Sequence, residues 1–163
     1  MIKAIMAVDD KGGISKDNSM PWPRNSNDLK WFKKHTINQV VIMGRSTWED
    51  PFMPTPLVSR VNVLFTNKDP KIYPGADHYL KGEIREEINK LKKNLKEDKN
   101  LFIIGGAELL NQAFALVQEF YLTRIYGNYN CDKFIRISDI EQKMTLDKKI
   151  ECDQTCHFEI WKK

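Results

Sequence analysis

The sequence contains few of the residues that build metal centres and disulfide frameworks. It has three histidines and three cysteines among 163 residues, and an odd number of cysteines cannot pair completely. Three residues separate Cys152 from Cys156, but no second pair of histidines or cysteines stands at a spacing typical of a zinc site. We therefore predict reduced thiols without a particular task and no bound metal.

The sequence also lacks a long apolar segment. Residues 1–8 are apolar, but this run is shorter than the core of a signal peptide, and Asp9 and Asp10 follow at once. No other run approaches the roughly 20 apolar residues that cross a bilayer as a helix. These absences predict a cytoplasmic protein without a membrane partner.

Concentrated charge of one sign is missing as well. Lys+Arg 26 and Asp+Glu 22 give a net charge of +4, and the excess is spread along the chain. Proteins that bind nucleic acids gather basic residues into a patch or stripe, so we predict no nucleic-acid partner. A small anionic ligand fits this mild positive charge better.

What the sequence does contain is an alternation of strand and helix patterns, over a length that fits one domain spanning 1–163. Apolar runs rich in β-branched residues predict strands at 2–8, 39–43, 61–66, 101–104, 119–126 and 158–161. Apolar residues at helical spacing predict helices at 26–34, 84–95 and 107–117. Runs that are apolar throughout are typical of sheets buried on both faces. We predict an α/β fold with a central, mostly parallel, twisted β-sheet, an antiparallel C-terminal strand, and helices on both faces.

Two predicted strand-to-helix junctions contain glycine: Gly44 lies in the segment 43–47, and Gly105 and Gly106 lie in 104–108. Glycine lets a ligand approach the main chain, and the N–H groups at a helix N-terminus attract negative charge. Neither junction has the Gly-x-Gly-x-x-Gly fingerprint, and a glycine at a strand end is often only part of a turn. Taken together, the junctions predict a site for the phosphates of one dinucleotide.

Polar and basic residues follow two neighbouring predicted strands, with Arg45 after one and Thr66, Asn67 and Lys68 at the end of the other. Parallel strands end at the same edge of a sheet, which is where ligands bind in this architecture. These residues therefore predict a site for an additional phosphate on a ribose. The alternative is that Arg45 and Lys68 are ordinary solvated surface charges.

Asp28 is the residue best suited to take part in chemistry. At helical spacing it shares a face with Trp31 and Phe32, whose rings would exclude water and raise its pKa. The alternative is that the helix dipole alone favours an acid in the first turn. There is no Gly-x-Ser-x-Gly elbow and no histidine-rich centre, so a cofactor would have to supply the reactivity.

The chain resembles the dihydrofolate reductase family in motifs that occur in order along nearly its whole length. They are Ile5-Met6-Ala7, the segment from Gly13-Ile14 to Met20-Pro21-Trp22, Asp28-Leu29-x-Trp31-Phe32-Lys33, Val41-Ile42-Met43-Gly44-Arg45-x-Thr47-Trp48-Glu49, Ile104-Gly105-Gly106-Ala107, Tyr121-Leu122-Thr123 and Phe158-Glu159-Ile160. The resemblance implies an oxidoreductase that reduces 7,8-dihydrofolate to 5,6,7,8-tetrahydrofolate with NADPH, which supplies one-carbon metabolism.

The resemblance also implies roles for individual residues around the substrate. Asp28 would hold the pterin, Thr123 would support Asp28, and Trp22 would cover the reaction centre, so these three are the implied catalytic residues. Further substrate-binding residues would be Ile5, Met6, Leu29, Phe32, Lys33, Arg60 and Ile104. Antifolates such as trimethoprim or methotrexate are implied ligands of the same pocket. We expect a monomer, because the chain supplies one complete site.

For the cofactor, the resemblance implies contacts with the nicotinamide, the pyrophosphate and the 2′-phosphoribose of NADPH. The loop 13–22 would close over the nicotinamide and exclude water. The implied cofactor-binding residues are Ala7, Gly13, Ile14, Ser15, Asn18, Ser19, Met20, Gly44, Arg45, Ser46, Thr47, Thr66, Asn67, Lys68, Lys81, Gly105, Gly106, Ala107, Glu108 and Leu109.

The chain departs from the family pattern at several of these places. Glu108 replaces an arginine that some members direct toward the 2′-phosphate, and Leu110 replaces a common tyrosine beside the nicotinamide. Ser15 and Cys131 replace common glycines in the mobile loop and in the loop that contacts it. These changes bear on the preference for NADPH over NADH and on the rate of loop closure.

Two other functions are compatible with parts of the same sequence pattern. A related reductase could share the fold and the NADPH site but reduce another heterocycle, such as a pyrimidine intermediate of riboflavin synthesis. Asp28 beside Trp31 and Phe32 favours a pterin instead. A nucleotide-binding module without catalysis is the other alternative, and the intact acid and both glycine junctions argue against it.

Overall fold

A computed structural model describes all 163 residues, which fold around one eight-stranded sheet. The strands are β1 Ile2–Val8, β2 Gly13–Ser15, β3 Val40–Gly44, β4 Val61–Phe65, β5 His78–Leu80, β6 Leu101–Gly105, β7 Glu119–Ile125, β8 Lys133–Phe134, β9 Thr145–Glu151 and β10 Cys156–Lys162. Their order in the large sheet is β5-β4-β3-β6-β1-β7-β10-β9, and β2 pairs separately with β8. Six neighbouring strands are parallel, while β10 and β9 are antiparallel. The predicted fold class is confirmed, with β9 as a second antiparallel strand.

Five α-helices accompany the sheet: α1 Ser26–Thr36, α2 Arg45–Glu49, α3 Ile84–Asn94, α4 Ala107–Ala113 and α5 Ile137–Lys143. Short 3₁₀ helices occupy Pro70–Ile72 and Phe114–Leu116. The helix predicted at 107–117 therefore changes to 3₁₀ geometry after Ala113. None of the helices combines the length and the apolar character needed to cross a membrane.

The core lies on both faces of the sheet, as the uniformly apolar strands predicted. Along β3, Val40 and Ile42 belong to one buried cluster, while Val41 and Met43 belong to the other. This alternation follows from the two-residue period of a strand. Helices α3, α4 and α5 cover the first face, and α1 contributes Trp31 to the second. Strands β1, β3, β4 and β6 thereby end together at one edge of the sheet.

Helix α1 fixes the position of Asp28 through its N-terminal cap. The Asn25 side chain accepts a hydrogen bond of 3.1 Å from the backbone N–H of Asp28, so Asp28 lies in the first turn. One turn later, Trp31 stacks on Phe158 of β10, with ring centroids 4.3 Å apart and planes 7° apart. The cap and this stacked pair hold α1 across the second face of the sheet.

Candidate active site

A cavity of about 410 Å³ opens at the edge where β1, β3, β4 and β6 end. It contains most of the predicted cofactor-binding residues, together with two of the predicted substrate-binding residues, Met6 and Ile104. The predicted cofactor residues that line it are Ala7, Ile14, Ser15, Asn18, Met20, Gly44, Arg45, Ser46, Thr47, Thr66, Asn67, Gly105, Gly106, Ala107, Glu108 and Leu109. The cavity has the size of sites that hold small molecules and cofactors.

The two glycine junctions meet in this cavity. Gly44 and Gly106 are the N-caps of α2 and α4, and neither helix has a side chain that caps it. A Cβ added at Gly44 would lie 3.8 Å from Gly105 O and from Gly106 N, so the junctions are direct neighbours. Uncapped backbone N–H groups from two helices are therefore available to one anionic ligand.

Gly105 permits this close approach. Its φ of +138° lies in a region that L-residues with side chains rarely adopt, and an added Cβ would lie 2.7 Å from Thr47 Oγ1. Any larger residue would push β6 away from α2. The backbone of this junction therefore fits a group that binds through main-chain donors, as a pyrophosphate does.

The polar residues predicted for the 2′-phosphate lie at the outer part of the cavity. Arg45 is exposed and its guanidinium lies 3.3 Å from the Glu49 carboxylate. Thr66 is buried, whereas Asn67 is exposed and its side chain accepts a hydrogen bond from Gly82 N. Glu108 is exposed and lines the same cavity.

Asp28 does not line this cavity and is buried, with 9% of its surface exposed. Thr123 of β7, which is 1% exposed, donates a hydrogen bond of 2.7 Å from its Oγ1 to Asp28 Oδ1. Burial raises the pKa of Asp28 above its ordinary value, and the Thr123 bond opposes this rise. No protein group donates to the other carboxylate oxygen, Oδ2, which leaves it available to a ligand.

The other residues predicted for the substrate are three apolar residues and two basic residues. Ile5 is buried, Leu29 and Phe32 are half-buried, and Lys33 is exposed. The Arg60 guanidinium lies 5.9 Å from the centre of the Phe32 ring, and its Nε is buried without a partner. Partial burial lowers the pKa of Arg60 from its ordinary value. An unpaired guanidinium at an aromatic wall suits the carboxylate of a ligand.

The loop 13–22 lies beside the cavity and is held at several points. Lys16 and Ser19 bond to each other across a turn in which Asp17 and Asn18 have φ of 50° and 64°. The backbone N–H of Asp17 donates to Asp132 over 3.0 Å, and Ser19 Oγ donates to Asp50 over 3.1 Å. These bonds hold the loop over the cavity.

Trp22 ends this loop and is 7% exposed. Its ring meets Tyr129 edge to face, with centroids 6.0 Å apart. Gly13, at the start of the loop, has no room for a side chain because an added Cβ would lie 2.4 Å from the Cβ of Cys131. Cys131, which replaces a common family glycine, thus occupies the space beside Gly13.

Some predicted residues lie outside the cavity, and some cavity residues were missed. The predicted cofactor-binding residues that do not line the cavity are Gly13, Ser19, Lys68 and Lys81. The predicted catalytic and substrate-binding residues that do not line it are Ile5, Trp22, Asp28, Leu29, Phe32, Lys33, Arg60 and Thr123. Leu110 is buried in the core. The lining residues missed are Asp50, Met53, Phe65, Gly82, Gln112 and Lys133. Gly82 offered only the signal of a turn, because the three-residue strand β5 before it has no periodic pattern.

The fold and the site together define a class of protein. The strands end in a cavity with two uncapped helix N-termini, and Asp28 is a buried carboxylate bonded to Thr123. No metal ligands or nucleophile–base pair are arranged at this site. It is the arrangement of an α/β enzyme that holds a nucleotide cofactor.

Comparison with known proteins identifies the family. The family model described as dihydrofolate reductase matches residues 1–162. Dihydrofolate reductase of Mycoplasma pneumoniae is 33% identical to this chain, over 84% of each sequence. Dihydrofolate reductase type 8 of Escherichia coli is 28% identical, over 99% of this chain and 96% of its own length. The chain belongs to the dihydrofolate reductase family, whose members reduce dihydrofolate to tetrahydrofolate with NADPH.

A solved structure supports the fold. Dihydrofolate reductase from Enterococcus faecalis, complexed with NADP(H) and RAB-propyl, superposes with a TM-score of 0.83 at 24% identity. The match covers 99% of this chain and 95% of the other. The overall fold is therefore that of a dihydrofolate reductase.

Proposed function

We propose that this chain performs the family's reaction with Asp28 as the residue that binds and orients the pterin of 7,8-dihydrofolate. The observation that carries the proposal is the buried hydrogen bond between Thr123 Oγ1 and Asp28 Oδ1. Thr123 holds one oxygen and leaves the second to accept from the amino group and ring N–H of the substrate. A carboxylate in this position raises the proton affinity of the pterin nitrogen next to the carbon that is reduced.

The cofactor site supplies the other half of the reaction. Bound NADPH supplies the hydride. The main-chain donors of Gly105–Leu109 would hold its pyrophosphate, while Arg45–Thr47, Thr66 and Asn67 would hold the 2′-phosphoribose. Ala7 and Ile14 would contact the nicotinamide, whose ring must lie next to the pterin for the transfer.

The loop 13–22 would control access to the reacting atoms. Met20 lines the cavity and Trp22 closes the end of the loop, so a closed loop excludes water. Exclusion of water lowers the local dielectric constant and strengthens the interaction of Asp28 with the substrate. Hydrogen bonds from Asp17 and Ser19 to Asp132 and Asp50 support the closed arrangement.

Arg60 is proposed to pair with the glutamate carboxylate of the substrate. Its unpartnered Nε and its position against Phe32 support this role. Leu29, Phe32, Ile5 and Ile104 would form the walls for the pterin and the aminobenzoyl ring. Antifolates such as trimethoprim and methotrexate would then compete for the same pocket.

We further propose a single-domain monomer that works in the cytoplasm. One chain contributes both the buried acid and the nucleotide cavity, so no second copy is required to complete the site. The three cysteines are free, which agrees with a reducing compartment.

Loss of the reduced-nicotinamide absorbance tests the proposal directly. Purified protein mixed with NADPH and dihydrofolate should consume both, with a heat-killed sample as control. Parallel samples with NADH, or with a pyrimidine intermediate of riboflavin synthesis in place of dihydrofolate, test cofactor preference and the alternative reductase. Binding of NADPH without consumption would favour a non-catalytic nucleotide-binding module instead.

A further inference from the structure

The turn between β9 and β10 gathers three potential metal ligands away from the proposed active site. The Sγ atoms of Cys152 and Cys156 and a carboxylate oxygen of Asp153 lie within 4.8 Å of one another. In a tetrahedral zinc site, bond lengths of about 2.0–2.3 Å place two sulfur atoms and one oxygen atom about 3.5–3.8 Å apart. A contraction of about 1.3 Å or less would therefore let all three atoms bind one cation.

Strand register brings the two sulfur atoms together. Glu151 of β9 pairs with His157 of β10, so Cys152 and Cys156 occupy the next opposed positions. The backbone N–H of Asp153 donates to the carbonyl of Cys156 over 3.4 Å and closes the turn. Side chains at opposed antiparallel positions lie close together, which places the sulfur atoms on one side of the hairpin.

The carboxylate is held in place before any cation binds. Thr155 donates to Asp153 Oδ1 through both its Oγ1 and its backbone N–H, and the Asn27 side chain donates to Oδ2 over 2.8 Å. An anionic oxygen ligand thus stands beside two free thiols, one fully buried and one partly buried.

We propose that Cys152, Asp153 and Cys156 bind one thiophilic divalent cation of the Zn²⁺ class, with water as the fourth ligand. The sequence contains no second Cys or His pair at a spacing typical of such a site. The folded hairpin instead supplies Asp153 as a third ligand. Each thiol loses its proton to solvent as it binds, so the step needs no oxidant. Soft thiolate ligands select such a cation over Mg²⁺ or Ca²⁺.

The bound cation would tie this turn more firmly to α1. Asn25, the N-cap of α1, donates from its side chain to Thr155 Oγ1 over 2.9 Å, and Asn27 bonds to Asp153. The same helix carries Asp28. The site would therefore stabilise the end of the hairpin that supports the helix, without taking part in the reduction.

Cadmium binding tests this site through its thiolate-to-metal ultraviolet absorbance. Reduced, metal-free, full-length protein is titrated anaerobically with Cd²⁺, and Zn²⁺ is then added as a competitor. We expect one equivalent per chain and displacement by Zn²⁺. Cys131→Ser should keep the band, because the third cysteine lies elsewhere, and Cys152→Ser should lose it. Asp153→Asn should keep the band but weaken affinity by about tenfold or more.

Two results would overturn the site. One is an equal band in the wild type and in Cys152→Ser, and the other is no band in the wild type when all three cysteines titrate as reduced thiols. Circular dichroism checks that each variant folds. If Cys152→Ser does not fold, the variant Asp153→Asn, at an exposed position, tests the site instead. An unchanged Cd²⁺ affinity of Asp153→Asn would reject a site built from all three ligands.

Discussion

The two halves of the active site are built in different ways. The cofactor cavity lies at the ends of four strands, where two glycine junctions meet and exposed polar residues contribute to the lining. The proposed substrate side has a single buried carboxylate held by one hydroxyl group. The first half should therefore be sensitive to changes of shape, and the second to changes of charge.

Removal of the charge on Asp28 should have the largest effect. Asp28→Asn keeps the size of the side chain but cannot stabilise a proton on the pterin, so kcat/KM for dihydrofolate at neutral pH should fall by about 10²-fold or more. NADPH affinity, measured by fluorescence titration, should be unchanged. The exposed Asp98→Asn serves as a matched control with normal activity. Near-normal turnover of Asp28→Asn would remove Asp28 from the mechanism.

Removal of the Thr123 hydroxyl should also affect only the substrate side. Thr123→Val deletes a hydrogen bond to a charged group, worth about 1.5–3 kcal/mol, so kcat/KM should fall about tenfold or more. Because this bond opposes the rise in the pKa of Asp28, its loss should raise that pKa further. The ionisation of Asp28 in the free enzyme should therefore shift to higher pH, as measured by the pH profile of kcat/KM.

Thr123→Ser restores the hydroxyl and should restore both the rate and the pH profile. A purely structural role for Thr123 predicts a different result. In that case Thr123→Val would lower stability and leave the ionisation of Asp28 where it was.

A change of shape at Gly105 should affect the cofactor side instead. Gly105→Ala places a Cβ against Thr47 and forces a φ of +138° on an L-residue, at a cost of about 1–3 kcal/mol. NADPH affinity should fall about tenfold, while the affinity for a folate analogue changes little, as measured by calorimetry. Gly75→Ala is the control, because Gly75 also has a positive φ, +109°, but does not line the cavity. Equal losses in both variants would contradict the argument from close approach.

The smallest effect is expected at the rim of the cofactor cavity. Glu108→Gln removes a negative charge from the region assigned to the 2′-phosphate, so the preference for NADPH over NADH should rise about threefold. The gain should shrink in high salt, because exposed charges are screened. Glu86→Gln, an exposed acid on α3 outside the cavity, should change nothing. An unchanged NADPH/NADH ratio would show that Glu108 does not face the phosphate.

The parts of the fold that follow from sequence are those in which one local pattern dominates. The apolar runs at 40–43 and 101–104 predicted central strands, and the structure contains them as β3 and β6. Strand β9 was missed because all seven of its residues are exposed and carry little apolar pattern. Strands β2, β5 and β8 have only two or three residues each, too few for a periodic signal.

The candidate site shows the same division. Asp28 was identifiable because an acid beside aromatic residues at helical spacing conflicts with the local pattern. The contact between Asp28 and Thr123 joins positions 95 residues apart, so only the family resemblance suggested it before the fold was known. Lys133 and Gln112 line the cavity through packing of distant segments, for which no local pattern exists.

Burial of Asp28 also has a consequence for the lifetime of the protein. Because its pKa is raised in the folded state, the folded chain binds this proton more tightly than the unfolded chain does. Folding stability therefore falls as pH rises from the ordinary pKa of an aspartate through the raised value. A ligand that donates a hydrogen bond to the Asp28 carboxylate would offset this loss of folding stability and add its own binding free energy. Bound substrate would therefore protect the folded protein against unfolding and proteolysis.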